Sequence, residues 1–236
     1  MSELLTSALA AHGGLDQWNQ LTSIRARLSV TGGLFTAKGT AGQLDGIEME
    51  AQLHEQKVVT YIAGKKKRWV FQPNSIVIEA DSGEKLAEHS YPRRSFRGNE
   101  AFWEEVHLAY FNSYALWNYL TSPFLYASPG FKVEELEMWQ ENGESWRPLK
   151  VTFPAHIATH TKEQIAFFGE DGLLRRLEYS VDVLGGDKGL NYPSQYRVFN
   201  GIMLPMKRRV YPADAQRQKV KEPVLVAIDL FEITIK

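Results

Sequence analysis

The 236-residue sequence contains no cysteine. This absence excludes disulfide bonds, thiolate nucleophiles, cysteine-ligated metals and lipid attachment through a cysteine. An excess of positive or negative charge is also missing, because 27 basic and 28 acidic residues leave a net charge of −1 at pH 7. No broad positive field is available to attract a polyanion. We therefore expect no nucleic-acid partner.

Long apolar runs are absent as well. No segment approaches the ~18 consecutive apolar residues that a spanning helix needs, so the sequence predicts a soluble protein without a transmembrane segment. The sequence starts Met1-Ser2-Glu3 without a basic stretch followed by an apolar leader. On that ground we expect no signal peptide and a cytoplasmic location.

The familiar catalytic motifs are missing too. The sequence has no serine-hydrolase elbow, no P-loop and no glycine-rich dinucleotide-binding turn. His156 and His160 are the one close pair among six histidines, but four residues of extended chain span about 13 Å, too far for one ion. We expect no metal and no cofactor, and we assign no catalytic residue.

Alternating apolar and polar residues predict an antiparallel sheet. The first clear strand begins at Ser23, where Ile24, Ala26 and Leu28 share one face. A further strand is predicted at Val58 to Ala63. In the last strand the apolar alternation slips by one residue, which predicts a β-bulge near Asp229.

Three dipeptides predict tight hairpin turns in the second half, because Asn, Asp and Gly tolerate positive φ angles. They are Asn142-Gly143, Asp171-Gly172 and Asn200-Gly201, and they lie 29 residues apart. The first is flanked by Trp139 and Trp146, for which hairpin pairing is expected. Near the second turn, Leu177, Tyr179, Val181 and Val183 are expected to face inward, whereas Arg176, Glu178, Ser180 and Asp182 are expected to face solvent.

One central segment has helical character instead. The segment 103–120 lacks Gly and Pro and is apolar almost all round after its first turn, so it predicts a buried helix. Ser122-Pro123 ends it, before an apolar loop at 124–130. The aromatic stripe of this helix is more often core than pocket, but it is the best candidate for a ligand-binding surface. The predicted ligand-binding residues are Trp103, His107, Tyr110, Tyr114 and Trp117.

Together these features predict a mainly β (α+β) fold. A large antiparallel meander forms an incomplete barrel around the aromatic-rich helix, with a short helix at the N-terminus. We expect a single half-barrel domain over residues 1–236, with an N-terminal helical segment at 1–21 and the inserted helix at 100–122.

Several motifs resemble the lipoprotein-carrier superfamily, the LolA/LolB-like proteins. The resemblance rests on the layout and on His12-Gly13-Gly14-Leu15, Trp18, Leu21 and Ile24. Tyr91-Pro92-Arg93, Ala109-Tyr110-Phe111, Tyr114-Ala115-Leu116-Trp117 and Phe153-Pro154 are similar to an uncharacterised bacterial subgroup of it. The resemblance implies an incomplete barrel of about eleven strands, closed by helices around a hydrophobic cavity for acyl chains.

Three functions stay open. The first is the binding or carriage of a lipid or other hydrophobic ligand in the half-barrel. The second is an enzyme that acts on a hydrophobic small molecule in the same cavity, with His107 as acid or base. The third is a protein-interaction module that uses a strand edge or the loop from Phe124 to Phe131. Lys65-Lys66-Lys67-Arg68 fits a solvated hairpin tip, although transient membrane contact is a further hypothesis for it.

Overall fold

The computed structural model describes residues 2–62, 64–99 and 101–236. Met1, Ala63 and Glu100, each of which ends or begins a predicted segment, lie outside the described residues. The dominant element is one antiparallel sheet, in which the described residues form 14 strands. They are β1 (Ser23–Thr31), β2 (Ile47–Gln52), β3 (Val58–Ile62), β4 (Lys67–Gln72), β5 (Ser75–Ala80), β6 (Lys85–Ser90), β7 (Lys132–Glu135), β8 (Trp139–Glu141), β9 (Glu144–Thr152), β10 (Glu163–Phe168), β11 (Leu174–Val181), β12 (Asp187–Phe199), β13 (Ile202–Pro212) and β14 (Val226–Ile235).

The strands form two meanders that meet at β1 and β14. The order across the sheet is β6-β5-β4-β3-β2-β1-β14-β13-β12-β11-β10-β9-β7, with β8 paired to β9. The first and last strands of the chain are therefore neighbours near the middle of the sheet. The sheet does not close into a barrel, which confirms the predicted incomplete barrel. The strand number implied by the resemblance was too low, because short strands such as β6, β7 and β8 extend the outer parts of the sheet.

Asn142-Gly143 and Asn200-Gly201 form tight hairpin turns as predicted, whereas Asp171-Gly172 lies in the longer loop 169–173 between β10 and β11. Asn142 and Gly143 have φ angles of 54° and 81°, and Asn200 and Gly201 have φ angles of 46° and 81°, as a tight hairpin requires. Trp139 pairs with Trp146 across the first of these turns. The bulge is confirmed at Phe231, two residues beyond Asp229, because Arg27 pairs with Glu232 while Leu28 pairs with Leu230.

One face of β11 was wrongly predicted to be fully in solvent. Arg176 is 0% exposed and Glu178 is 9% exposed. The guanidinium of Arg176 forms ion pairs with Glu178 and, at 2.6 Å, with Glu141 of β8, and it lies over the Trp139 ring. The small β8–β9 hairpin thus covers this face, and a charged side chain is buried there because its charge is paired.

The N-terminal segment contains two short helices, α1 (Glu3–Ala11) and α2 (Leu15–Asn19). Gly13, between them, has a φ angle of 121°, and a Cβ at this position would overlap the carbonyl oxygen of Gly201. The backbone N–H of Met203 donates to the His12 carbonyl at 2.9 Å. The glycine therefore allows the end of α1 to contact the β12–β13 turn closely.

The central helix is buried on all sides. A short helix, α3 (Gly33–Ala37), precedes it in the chain, and α4 itself runs over Glu105–Thr121 with every residue from Val106 to Thr121 buried. Its aromatic side includes Tyr110, which contacts Phe71 of β4 with ring centroids 5.7 Å apart. The indole N–H of Trp117 donates to the Gln52 carbonyl at 2.7 Å. The prediction of an aromatic-rich helix inside the incomplete barrel is confirmed.

Polar groups of the sheet bind both ends of α4. Burial alone would raise the pKa of Glu105 in the first turn, but hydrogen bonds from Lys67 and Trp69 outweigh it and lower that pKa. In the last turn the buried guanidinium of Arg208 donates to the Tyr119 carbonyl at 2.8 Å. An anionic group at the N-terminus and a cation at the C-terminus both match the helix dipole.

Because α4 is buried along its length, we expect the truncation of a side chain packed in the core to be costly. Leu108 is 0% exposed, so Leu108→Ala should lower the free energy of unfolding by about 2–5 kcal/mol. Leu86→Ala provides a matched control, because Leu86 is 54% exposed on the outer strand β6, and it should change stability by less than about 0.5 kcal/mol. Urea unfolding measures both, and equal losses would contradict this packing.

Candidate functional site

An apolar cavity lies between α4 and the sheet strands β1 and β11 to β14. Its volume is about 310 Å³, at the lower end of the range of about 300–1,000 Å³ for small-molecule sites. The α4 wall is made of five side chains: Phe111, Asn112, Ala115, Leu116 and Tyr119. The sheet wall is largely aliphatic and consists mainly of Val30, Val181, Val210, Val226 and Ile228.

The mouth of the cavity is bordered by α3 and by polar side chains. Lys38, just after α3, donates to the carbonyl of Asn99 and, at 3.1 Å, to its side-chain oxygen. The amide of Asn99 in turn donates to Asp187 at the start of β12. Asn99 and Asp187 both line the cavity and both are exposed. This chain of hydrogen bonds connects α3 to the sheet across the mouth.

A network of aromatic hydroxyls surrounds His160 at the inner end. Tyr114 lies 3.0 Å from Nδ1 of His160, and Tyr119 lies 2.9 Å from Nε2. The hydroxyls of Tyr119 and Tyr179 are 2.6 Å apart, and the His160 and Tyr179 rings are stacked with centroids 4.4 Å apart. Arg93 orders this segment by donating to the Thr159 carbonyl at 2.7 Å. Both nitrogens of His160 therefore have partners.

The environment keeps His160 neutral. Burial lowers the pKa of His160 to about 3, and the positive charge of Arg93 acts in the same direction. A neutral imidazole has one donor and one acceptor nitrogen, which two tyrosine hydroxyls can satisfy. The network thus forms a polar but uncharged end to the cavity.

The five residues that the sequence predicted as ligand-binding do not share one cavity. Trp103 precedes α4, and its ring contacts Phe35, Phe96 and Phe111. His107 accepts from the Glu104 backbone N–H at 3.0 Å and closes a capping box at the start of α4. Both side chains border a separate groove near Phe96.

The other three residues lie along α4. Tyr110 borders a cleft of about 480 Å³ beside Arg93, and Trp117 borders one of about 720 Å³ beside Trp18 and Phe124. Tyr114 does not line the apolar cavity but contacts His160, which does. Their role in ligand binding stays a prediction.

Sequence reasoning missed the face of α4 that borders the apolar cavity. It selected the stripe with the most aromatic residues, whereas the cavity adjoins the small Ala115 and the polar Asn112. The amide of Asn112 within a largely apolar helix was the available signal. His160 was considered only as a metal ligand beside His156, which is exposed whereas His160 is buried. Within the described residues no group of three His, Asp or Glu side chains could hold a metal.

His160 should make stability depend on pH. The unfolded chain protonates histidine near pH 6.5, whereas the folded protein resists protonation down to about pH 3. The contribution of neutral His160 to the free energy of unfolding is therefore fully present above pH 6.5. It decreases as the pH falls from 6.5 toward 3, by up to about 1.4 kcal/mol per pH unit. Urea unfolding at pH 7, 6 and 5 should show a smaller decrease for His160→Asn than for the wild type. Equal decreases would contradict the buried neutral imidazole.

No protein-family model matches the chain, and none of the curated proteins matches it. Solved structures do match along nearly the whole chain. A LolA superfamily protein from Nitrosomonas europaea has a TM-score of 0.58 at 11% identity, with 99% of this chain and 92% of that chain covered. A domain from Vibrio parahaemolyticus assigned to outer membrane lipoprotein sorting gives 0.55 at 8% identity, with 99% and 91% covered. A DUF1329 family protein from Desulfovibrio piger gives 0.52 at 10% identity, with 98% and 91% covered.

These neighbours overturn the cytoplasmic location expected from the sequence. The similar structure from V. parahaemolyticus is a domain assigned to outer membrane lipoprotein sorting, a process outside the cytoplasm. The expected cytoplasmic location was therefore wrong. It rested on the first residues of the sequence, which carry no information about location. Within the described residues, no helix combines the length and apolar character that crossing a membrane requires.

The structural matches bear on the architecture. At identities of 8–11% the similarity is one of fold. It agrees with the resemblance seen in the sequence around His12-Gly13-Gly14. The chain has a LolA-like fold.

Proposed function

We propose that this protein binds a lipid or a similar hydrophobic molecule in the cavity between α4 and the sheet. The observation that carries this proposal is the cavity itself, about 310 Å³ in volume and lined largely by apolar side chains. Apolar surface that is exposed to water in an empty cavity becomes buried when an apolar ligand enters, which favours binding. The LolA superfamily structure, with a similar fold, supports the same role.

The residues on which the enzyme and the protein-interaction hypotheses rest lie outside this cavity. His107, the acid or base of the enzyme hypothesis, caps the start of α4 and does not border the cavity. In the loop of the interaction hypothesis the apolar side chains of Phe124, Leu125 and Tyr126 are buried, at only 2–4% exposed. The basic segment Lys65-Lys66-Lys67-Arg68 lies at the hairpin between β3 and β4, where Lys65 and Lys66 are exposed. Lys67 forms an ion pair with Glu105, and Arg68 forms one with Glu79.

In this proposal α4 has two roles. Its aromatic side, which includes Tyr110 and Trp117, keeps the helix in place against the first meander, and its opposite side presents Ala115 and Leu116 to the ligand. Trp103, His107 and Tyr114 are proposed to support that wall through the contacts described above. The ligand is a hydrophobic small molecule or acyl chain.

Filling the cavity should abolish binding. Ala115 borders the cavity from α4 and Val226 borders it from β14, so Ala115→Phe and Val226→Phe each place a bulky side chain in the ligand's space. We expect each variant to bind an apolar fluorescent reporter such as Nile red at least about tenfold more weakly than the wild type. Two variants on opposite walls separate loss of the cavity from a local folding defect.

Ala215→Phe is the matched control, because Ala215 is exposed in the segment between β13 and β14. It should bind the reporter as the wild type does. Native mass spectrometry of protein purified from its host should detect a bound hydrophobic molecule in the wild type and in Ala215→Phe. Undiminished reporter binding in both filled variants, with folding intact by circular dichroism, would refute this use of the cavity.

A further inference from the structure

A second cleft, separate from the apolar cavity, lies between two connecting segments of the chain. Its volume is about 480 Å³, and within the part of the chain that the structure describes it shares no lining residue with the apolar cavity. One side is formed by the short 3₁₀ helix Pro92–Ser95 after β6, and the other by the segment 153–162 between β9 and β10. Three sequence motifs contribute residues to this one cleft: Tyr91-Pro92-Arg93, Ala109-Tyr110-Phe111 and Phe153-Pro154.

Basic side chains dominate the charge of this cleft. Arg93, Arg94 and Lys162 border it, and among the described residues Asp182 is the one carboxylate that does so. Asp182 is neutralised by Arg93, whose Nη2 donates to it at 2.9 Å. No carboxylate of the described residues forms an ion pair with Arg94 or Lys162. The cleft therefore contains two positive charges that the fold does not pair.

Contacts within the protein hold both guanidinium groups in place. Arg93 donates to the Thr159 carbonyl at 2.7 Å and to the His160 carbonyl at 3.3 Å. The guanidinium of Arg94 lies over the Tyr91 ring, 4.7 Å from its centroid, where a cation is stabilised. Side chains that are already ordered lose little conformational entropy when a ligand binds.

A buried tyrosine brings an uncharged donor to the same cleft. Tyr110 is 1% exposed and borders the cleft from α4. Burial raises the pKa of its hydroxyl, and the nearby positive charge of Arg93 opposes that shift. The hydroxyls of Tyr114 and Tyr119 on the same helix bind His160, whereas no described residue accepts a hydrogen bond from the hydroxyl of Tyr110. Its proton is therefore available to an acceptor in the cleft.

The charges and donors of the cleft fit a phosphate monoester. This group has close to two negative charges at neutral pH and three strong acceptor oxygens, which match two unpaired cations and one hydroxyl donor. A guanidinium also binds phosphate through two parallel N–H groups. A carboxylate or a phosphodiester has one negative charge and would leave one cation without a partner. Phe153, Pro154 and Ile157 border the cleft as well, and they offer an apolar surface to the organic part of an ester.

We propose that this cleft binds the phosphate group of an organic phosphate monoester. Arg94 and Lys162 pair with the phosphate oxygens, Tyr110 donates a hydrogen bond to them, and the organic part packs against Phe153 and Pro154. A soluble ester and the head group of a phosphatidic acid share this chemistry. The site is independent of the apolar cavity, so it does not rest on the binding of a hydrophobic ligand there.

The test compares phenyl phosphate with methyl phenyl phosphate, which has one negative charge fewer, by calorimetric titration at pH 8. The wild type should bind the monoester at least about fivefold more tightly than the diester, because the second charge has a cation to pair with. Arg94→Gln and Lys162→Gln should each weaken monoester binding by about fivefold to tenfold. Tyr110→Phe keeps the buried ring and should weaken it by about threefold to fivefold.

Arg97→Gln is the matched control. Arg97 is exposed and lies two residues beyond the same 3₁₀ helix, but it does not border the cleft. This variant should bind phenyl phosphate as the wild type does. All four variants should bind Nile red like the wild type, which shows that the fold is intact. Because Arg94 and Lys162 are exposed, their replacement leaves the core unchanged, and the test does not depend on the buried Tyr110.

Vesicle sedimentation distinguishes the two sources of the phosphate group. Binding to phosphatidylcholine vesicles only when they contain phosphatidic acid, with loss in Arg94→Gln, would assign the site to a lipid head group. Binding of phenyl phosphate without vesicle binding would assign it to a soluble ester. Failure to bind either phenyl phosphate or the phosphatidic acid vesicles would overturn the proposal. So would an equal loss in Arg97→Gln and Arg94→Gln, since general charge attraction would then explain the binding.

Discussion

The burial of one helix on all sides is the constraint on which the rest of this structure depends. A helix has unpaired N–H groups at its start and unpaired carbonyls at its end, and inside a protein these need partners other than water. In α4 the Glu104–His107 capping box binds N–H groups at the start, and Arg208 of β13 binds the Tyr119 carbonyl at the end. Lys67 and Trp69 of β4 donate to the side chain of Glu105 in the first turn. Strands of both meanders thus hold the two ends of the helix.

The same constraint explains a buried guanidinium without a carboxylate partner in the described residues. Arg208 is 3% exposed, and burial lowers its pKa. Its positive charge lies beside the negative end of the α4 dipole and over the Tyr119 ring, whose centroid is 4.9 Å away. A helix dipole and an aromatic face both stabilise a cation, so the helix itself acts as the counter-charge.

The sequence predicted much of the fold because the relevant signals are local. Alternating apolar and polar residues predicted the strands, and Asn-Gly dipeptides predicted the turns. An apolar segment without Gly or Pro predicted α4. The small β8–β9 hairpin that buries Arg176 was not foreseen, because alternation assigns a residue to a face but does not say what covers that face. The predicted ligand-binding stripe of α4 differs from the stripe that lines the cavity for a related reason. On a helix that is apolar all round, periodicity cannot tell the side packed against β4 from the side that adjoins β14.

The size and lining of the cavity argue that it is kept rather than left over from imperfect packing. Apolar side chains around about 310 Å³ of space lack the packing contacts that they would make in a filled core, and the loss of these contacts disfavours the folded state. Water is a poor filler there, because a buried water needs about three polar partners and the sheet wall offers valines and Ile228. Larger apolar residues in place of Ala115 and Asn112 would fill this space without burying a further polar group. An apolar molecule that enters it recovers the contacts which α4 and the sheet do not make with each other, and this links the buried helix to a binding function.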